Sequence, residues 1–80
     1  MFLIHSQYIA DFDNRPMNPS SVQKIKLSPA SLRNVHLWIL RFYGTEEKVL
    51  RSWFYNTDQE RKDDLEGVVK DNPQIEIYQL

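Results

Sequence analysis

The run SPASLRNVHLWILRFYGTEEKVLRSWFY (residues 28–55) holds six of the chain's ten aromatic residues, so the architecture turns on how it folds. Ser28-Pro29 is a strong helix start. A serine hydroxyl can accept a bond from a free backbone N–H, and proline suits the first helical position because its missing donor costs nothing there. Wound at about 100° per residue, Leu32, Val35, Ile39, Phe42 and Tyr43 share one face and predict a helix over about residues 29–43. Gly44 is placed to end it as a left-handed cap. Thr45 then caps a second helix. Glu46 and Glu47 complement the dipole in its first turn, and Val49, Leu50 and Trp53 form its apolar stripe.

Residues 2–12 (FLIHSQYIADF) alternate with period two and predict a strand. The next segment, DNRPMNPSS, has the prolines, asparagines and serines of a loop. Residues 21–27 (SVQKIKL) predict a second strand, paired to the first as a hairpin. Its Ile25 and Leu27 point inward, and Lys24 and Lys26 point outward. Beyond the central run, Thr57 and Glu60 have capping-box spacing for a third helix over about 58–71. Asn72-Pro73 stops that helix. Residues 74–79 (QIEIYQ) form a last strand, expected beside the first. The predicted order is β-β-α-α-α-β: an α+β fold with a three-stranded antiparallel or mixed sheet covered by helices.

Eighty residues predict a single compact domain spanning 1–80. Folding at this size buries roughly 60% of the unfolded surface, which leaves little room for a deep, fully walled pocket. The chain has no cysteine, which excludes disulfides, thiol nucleophiles and Cys-based metal sites. A small secreted domain would usually carry disulfides, so a cytoplasmic location is expected. The N-terminal stretch has neither the basic region of a signal peptide nor the apolar length of a membrane span, so no membrane association is expected.

Charge is unevenly distributed. Residues 1–55 hold seven Lys/Arg against four acids, a net of +3. Residues 56–80 hold three against seven, a net of −4, and the two sum to the chain's −1. Such a dipolar chain can orient a charged partner within the screening length of salt. The acidic segment 58–71 is read either as a solvated helix or as a recognition surface for a basic partner.

No catalytic constellation stands out. Asp11 and Asp13 follow a strand in acid-x-acid spacing, which can hold a hard cation, but Pro16 stands where a calcium loop needs glycine. His5 and His36 have no metal-ligand spacing. The better candidate is a surface. On a helical wheel Arg33, Leu37 and Arg41 lie opposite the core stripe, and Lys48, Arg51 and Tyr55 share the outward face of the second helix. Arginine and aromatics are enriched in interface hot spots. The leading expectation is therefore a non-enzymatic protein-binding module without a cofactor. It would be an inhibitor or adaptor of the compact kind that viruses and mobile elements encode, binding through Arg33, Leu37, Arg41, Lys48, Arg51 and Tyr55. The first alternative is a nucleic-acid-binding domain using Lys24, Lys26 and the helix arginines, with Tyr8, Phe12 or Tyr78 stacking bases. The second is a small metal-dependent enzyme at Asp11 and Asp13. A homo-oligomer is a further possibility, because a last strand rich in isoleucine and tyrosine can pair edge to edge.

Overall fold

The computed structural model describes residues 4–8, 12–32 and 35–79, with the backbone alone for Pro29–Leu32 and Val35. Among the described residues four strands and a helix form the framework: β1 (Lys24–Leu32), β2 (Val35–Tyr43), β3 (Val49–Tyr55), α1 (Asp58–Asp71) and β4 (Glu76–Gln79). They form one sheet in the order β3-β2-β1-β4. β1–β2 and β2–β3 pair antiparallel, and β4 lies parallel to β1. β3 and β4 therefore run the same way, and α1 carries the chain from one edge of the sheet to the other.

The α+β class stands. The detail is corrected: the sheet has four strands, and among the described residues one α-helix, α1, packs against it. The run 28–55 forms β1's second half, β2 and β3 instead of two helices. The reason lies in β2, which is central. Leu37 and Ile39 are buried on one face, and Leu40 and Phe42 on the other. A strand buried on both sides reads as a continuous apolar run, and any such run also satisfies a helical wheel. Its β-branched and aromatic content (Val35, Ile39, Trp38, Phe42, Tyr43) favours the pleated form.

Pro29, read as a helix start, sits inside β1 opposite Trp38. β4 pairs with β1 only as far as Leu27, so Pro29 occupies a stretch where β1 behaves as an edge, the place a sheet tolerates proline. Gly44 is not a left-handed cap: its backbone is extended at φ −96° and ψ −153°. A Cβ there would meet Leu50 Cδ2 at 3.2 Å and the Ser21 carbonyl at 3.3 Å, so glycine serves close approach. Thr45–Glu47 forms a tight turn between β2 and β3. Lys48 N–H donates to the Thr45 carbonyl at 3.2 Å, and Glu46 and Glu47 have φ of 58° and 59°. Two consecutive left-handed residues give the twist that a two-residue hairpin needs, although Asn-Gly is the usual sequence for it.

The strand expected over 2–12 is reduced, within the described residues, to a bridge between Ile4 and Met17, with N···O distances of 3.1 and 2.9 Å. The last strand therefore pairs with β1 and not with an N-terminal strand. The helix expected over 58–71 is present with those bounds. Thr57 Oγ1 accepts from Glu60 N–H at 3.1 Å, and Glu60 Oε2 reaches back to Asn56 N–H at 3.2 Å. No described helix is long and apolar enough to cross a membrane.

Pairing fixes which side chains share a face. Ile25 and Leu27, Leu40 and Phe42, and Trp53 and Tyr55 lie on one face, where they join Ile4, Met17, Val22, Val68 and Ile75 in the core. α1 packs against this face, over β2 and β3. The Phe42 and Trp53 rings meet edge-on, 4.6 Å between centroids.

Candidate functional site

Among the described residues no helix packs on the other face. Alternation puts Lys24, Lys26 and Ser28 of β1, Leu37, Ile39, Arg41 and Tyr43 of β2, Ser52 and Phe54 of β3, and Glu76 and Tyr78 of β4 on it. Lys24, Lys26, Arg41, Tyr43, Ser52 and Phe54 are half-buried, and Tyr78 is exposed. Cations lie over rings here: Lys26 Nζ is 4.6 Å from the centroid of Tyr43, and Lys24 Nζ is 5.6 Å from that of Tyr78. Arg41 Nε donates to Ser52 Oγ at 3.2 Å. Packed against neighbours in this way, the long cationic stems are partly ordered before any partner arrives.

The turn between β2 and β3 supplies the counter-charge. Glu47 bonds both Lys24 and Lys26, the latter at 3.2 Å. The bonds from Lys24 and then Lys26 hold the Glu47 carboxyl below its usual range, and the bond to Glu47 raises the Lys24 ammonium. Tyr78 donates to Glu76 Oε2 at 2.7 Å, and that bond raises the Tyr78 phenol. The face thus has three cations against two acids. On the far side of the sheet α1 has six acids against three cations, a net of −3. Part of the charge split along the sequence thus becomes a split across the sheet, with Lys24, Lys26 and Arg41 on one side and α1 on the other.

The surface expected from the helical wheels is not assembled as such. Leu37 is buried at 7% exposure, and Tyr55 is fully buried. Arg51 is exposed but pairs with Phe42, so it projects to the core side, beside Pro16 and Met17. Lys48 is exposed at the end of the turn. Of the described residues of the set, Leu37 and Arg41 lie on the helix-free face, Leu37 buried and Arg41 half-buried beside Lys24 and Lys26 of the alternative set. Arg33 and Asp11 lie outside the described residues. Tyr43 was hidden in the sequence by its place in the helical stripe. Read as a strand, the alternation Leu37, Ile39, Arg41, Tyr43 exposes it.

A second cluster lies on the covered side. Asp64, buried, accepts from Ser6 Oγ at 2.5 Å, Tyr55 Oη at 2.5 Å and Gln7 N–H at 2.9 Å. Burial, followed by the Asp64 carboxylate, pushes the Tyr55 phenol far up. Tyr8 meets Tyr55 edge-on at 5.9 Å and donates to Asp63 at 3.3 Å. Arg61, also buried, lies 5.0 Å over the Trp38 ring and bonds Asp58 at 3.0 Å. A cleft of about 170 Å³ opens beside Asp64 between the N-terminal segment and α1, lined also by His5, Gln7 and Gly67. Both oxygens of Asp64 are already engaged, so the cluster ties the N-terminal segment to α1 and β3 and offers no free acid or base to that cleft. Asp13 bonds the exposed Arg15 at 3.0 Å, and among the described residues no group of three or more His, Cys, Asp or Glu is placed to hold a metal ion.

No protein-family model, curated protein or solved structure matches the chain.

Proposed function

We propose that the chain is a non-enzymatic protein-binding module that engages an acidic protein surface through the helix-free face of its sheet. The observation that carries this reading is the convergence of Lys24, Lys26, Arg41, Tyr43 and Tyr78 on one face, with the acidic helix on the other. Arginine and tyrosine beside half-buried Phe54 resemble the composition of an interface centre more than that of a plain solvated surface. An acidic partner meets the three cations from the side away from α1, where the helix carboxylates repel it least.

The test is affinity capture from extract of the source cell or its host, with and without nuclease, comparing the natural chain with the Lys26→Glu/Arg41→Glu double variant. The expected result is a protein that survives nuclease and is lost with the variant. Equal capture by the two chains overturns the reading.

A second reading, single-stranded nucleic acid, is favoured by the two lysine–tyrosine pairs on an open sheet. It predicts binding that vanishes with nuclease and falls steeply as salt rises. The protein reading ranks first because Glu47 and Glu76 leave this face a net of only one positive charge, which suits a partner with a few acids beside apolar groups and not the continuous charge of a phosphate backbone.

A further inference from the structure

We propose that the outer edge of β4 pairs with the same edge of a second copy of this chain, in a two-fold antiparallel arrangement with Tyr78 opposite Tyr78. The inference shares Tyr78 with the binding face proposed above but rests on the open edge of β4, which Gln79→Pro tests without touching that face. β4 ends the sheet, and all four of its residues are exposed. Ile77 is 38% and Tyr78 44% exposed, large apolar groups on an edge with nothing beside it among the described residues. Glu76 N–H donates inward to the Gln23 carbonyl at 3.2 Å. Backbone direction alternates along a strand, so Glu76 and Tyr78 face β1, while Ile77 and Gln79 turn both N–H and C=O outward. An unpaired row of this kind is a template for another strand.

The chemistry of the edge selects a second copy as its occupant. With Tyr78 on the two-fold axis, Ile77 of each chain falls opposite Gln79 of the other, and the outward donors and acceptors match in reciprocal pairs. The tyrosines then form a non-hydrogen-bonded cross-strand pair, the closest side-chain approach in an antiparallel ladder. The two Glu76 residues lie two positions from the axis on opposite sides of it, so their carboxylates are held apart. The second copy also keeps the sheet's faces in common. The helix-free faces of the two chains join edge to edge, and the acidic helices stay together on the opposite side.

The test is sedimentation velocity on the full chain over a wide concentration range, alongside Tyr78→Glu and Gln79→Pro. The first places like charges opposite each other on the axis, where Lys24 still balances each within its own chain. The second removes an outward donor near the strand's end. The natural chain is expected to pass from monomer to dimer as concentration rises, with the Ile77 and Gln79 amides gaining exchange protection together. Each variant is expected to weaken association by about tenfold or more at unchanged circular dichroism and melting temperature. A natural chain that stays monomeric, association that continues past the dimer, or variants that dimerise as tightly as the natural chain while folded would each overturn the proposal.

Discussion

The two faces of this sheet are built on opposite plans. The covered face buries Ile25, Leu27, Leu40, Phe42, Trp53 and Tyr55, and beside them the buried Asp64 is bonded by three donors. On the helix-free face the three cations are half-buried, and two of them, Lys24 and Lys26, are held by one carboxylate on a tight turn. Buried, satisfied groups specify a fold, whereas half-buried charges above aromatic rings remain available to a partner. The comparison teaches where substitutions should cost folding and where they should cost recognition.

The largest effects belong to the covered face. Trp53 is 1% exposed, meets Phe42 edge-on and donates its indole N–H to the Arg15 carbonyl at 3.1 Å. Trp53→Ala should cost about 3–5 kcal/mol, measured by chemical denaturation. Asp64→Ala should cost a similar amount, about 3–5 kcal/mol, because it strands two hydroxyls and one backbone N–H. If Asp64→Ala proved neutral, the N-terminal segment would not be docked as described, and the contrast between the faces would weaken.

A smaller effect on the same face is read by pH. Burial and Asp64 raise the Tyr55 phenol, so the folded state holds this group neutral. The unfolded chain ionises tyrosine near pH 10, and stability is therefore full below about pH 10 and lost as pH rises further. Tyr8 and Tyr78 are raised as well and add to the slope in the same window. Tyr55→Phe should cost about 1–2 kcal/mol at neutral pH and flatten most of the alkaline fall, as followed by melting temperature against pH. An unchanged slope would mean that Tyr55 is not bonded to a buried carboxylate.

What the sequence disclosed follows the same division between local and non-local causes. α1 was legible to its bounds because its signals are local: Thr57 with Glu60 at the start, and Asn72-Pro73 at the end. β4 and the start of β1 were legible for the same reason. The middle was not. Ser28-Pro29 imitates a helix cap, and the central strand β2 has no polar face to reveal period two. Only the neighbours β1 and β3, distant in sequence, decide its form. The residues expected to share one surface were misplaced with it. One residue of slip between helix and strand periods moved Leu37 and Tyr55 into the interior and brought Tyr43 beside Lys26. The charge split was legible, but its meaning as two faces of one sheet depended on that same decision.

On the helix-free face, substitution should leave folding alone. Arg41 is half-buried and bonds a serine, so Arg41→Glu should change stability by no more than about 0.5 kcal/mol while weakening partner binding. Unfolding by that variant would make Arg41 a structural residue and erase the distinction between the faces.

The smallest effect lies in the turn that holds this face together. Glu46 and Glu47 both adopt left-handed backbone, which costs an L-residue energy that asparagine or glycine avoids. Their side chains differ in what they do: Glu47 bonds Lys24 and Lys26, whereas Glu46 is exposed. Glu46→Asn should therefore stabilise the chain by about 0.5 kcal/mol through backbone relief alone. Glu47→Gly gains comparable relief but releases the two lysines, so at neutral pH it should be the less stable of the two variants. The Glu47 carboxyl is lowered in the folded chain, so its contribution is present above the unfolded carboxyl range and lost as pH falls through the folded value. The gap between the variants should accordingly close below about pH 4, and also in high salt. A gap independent of both would show that Glu47 supports the turn by some means other than its bonds to the lysines. A closing gap, with tighter partner binding in Glu47→Gly, would show that the strained turn keeps the two cations neutralised until a partner's acid replaces Glu47.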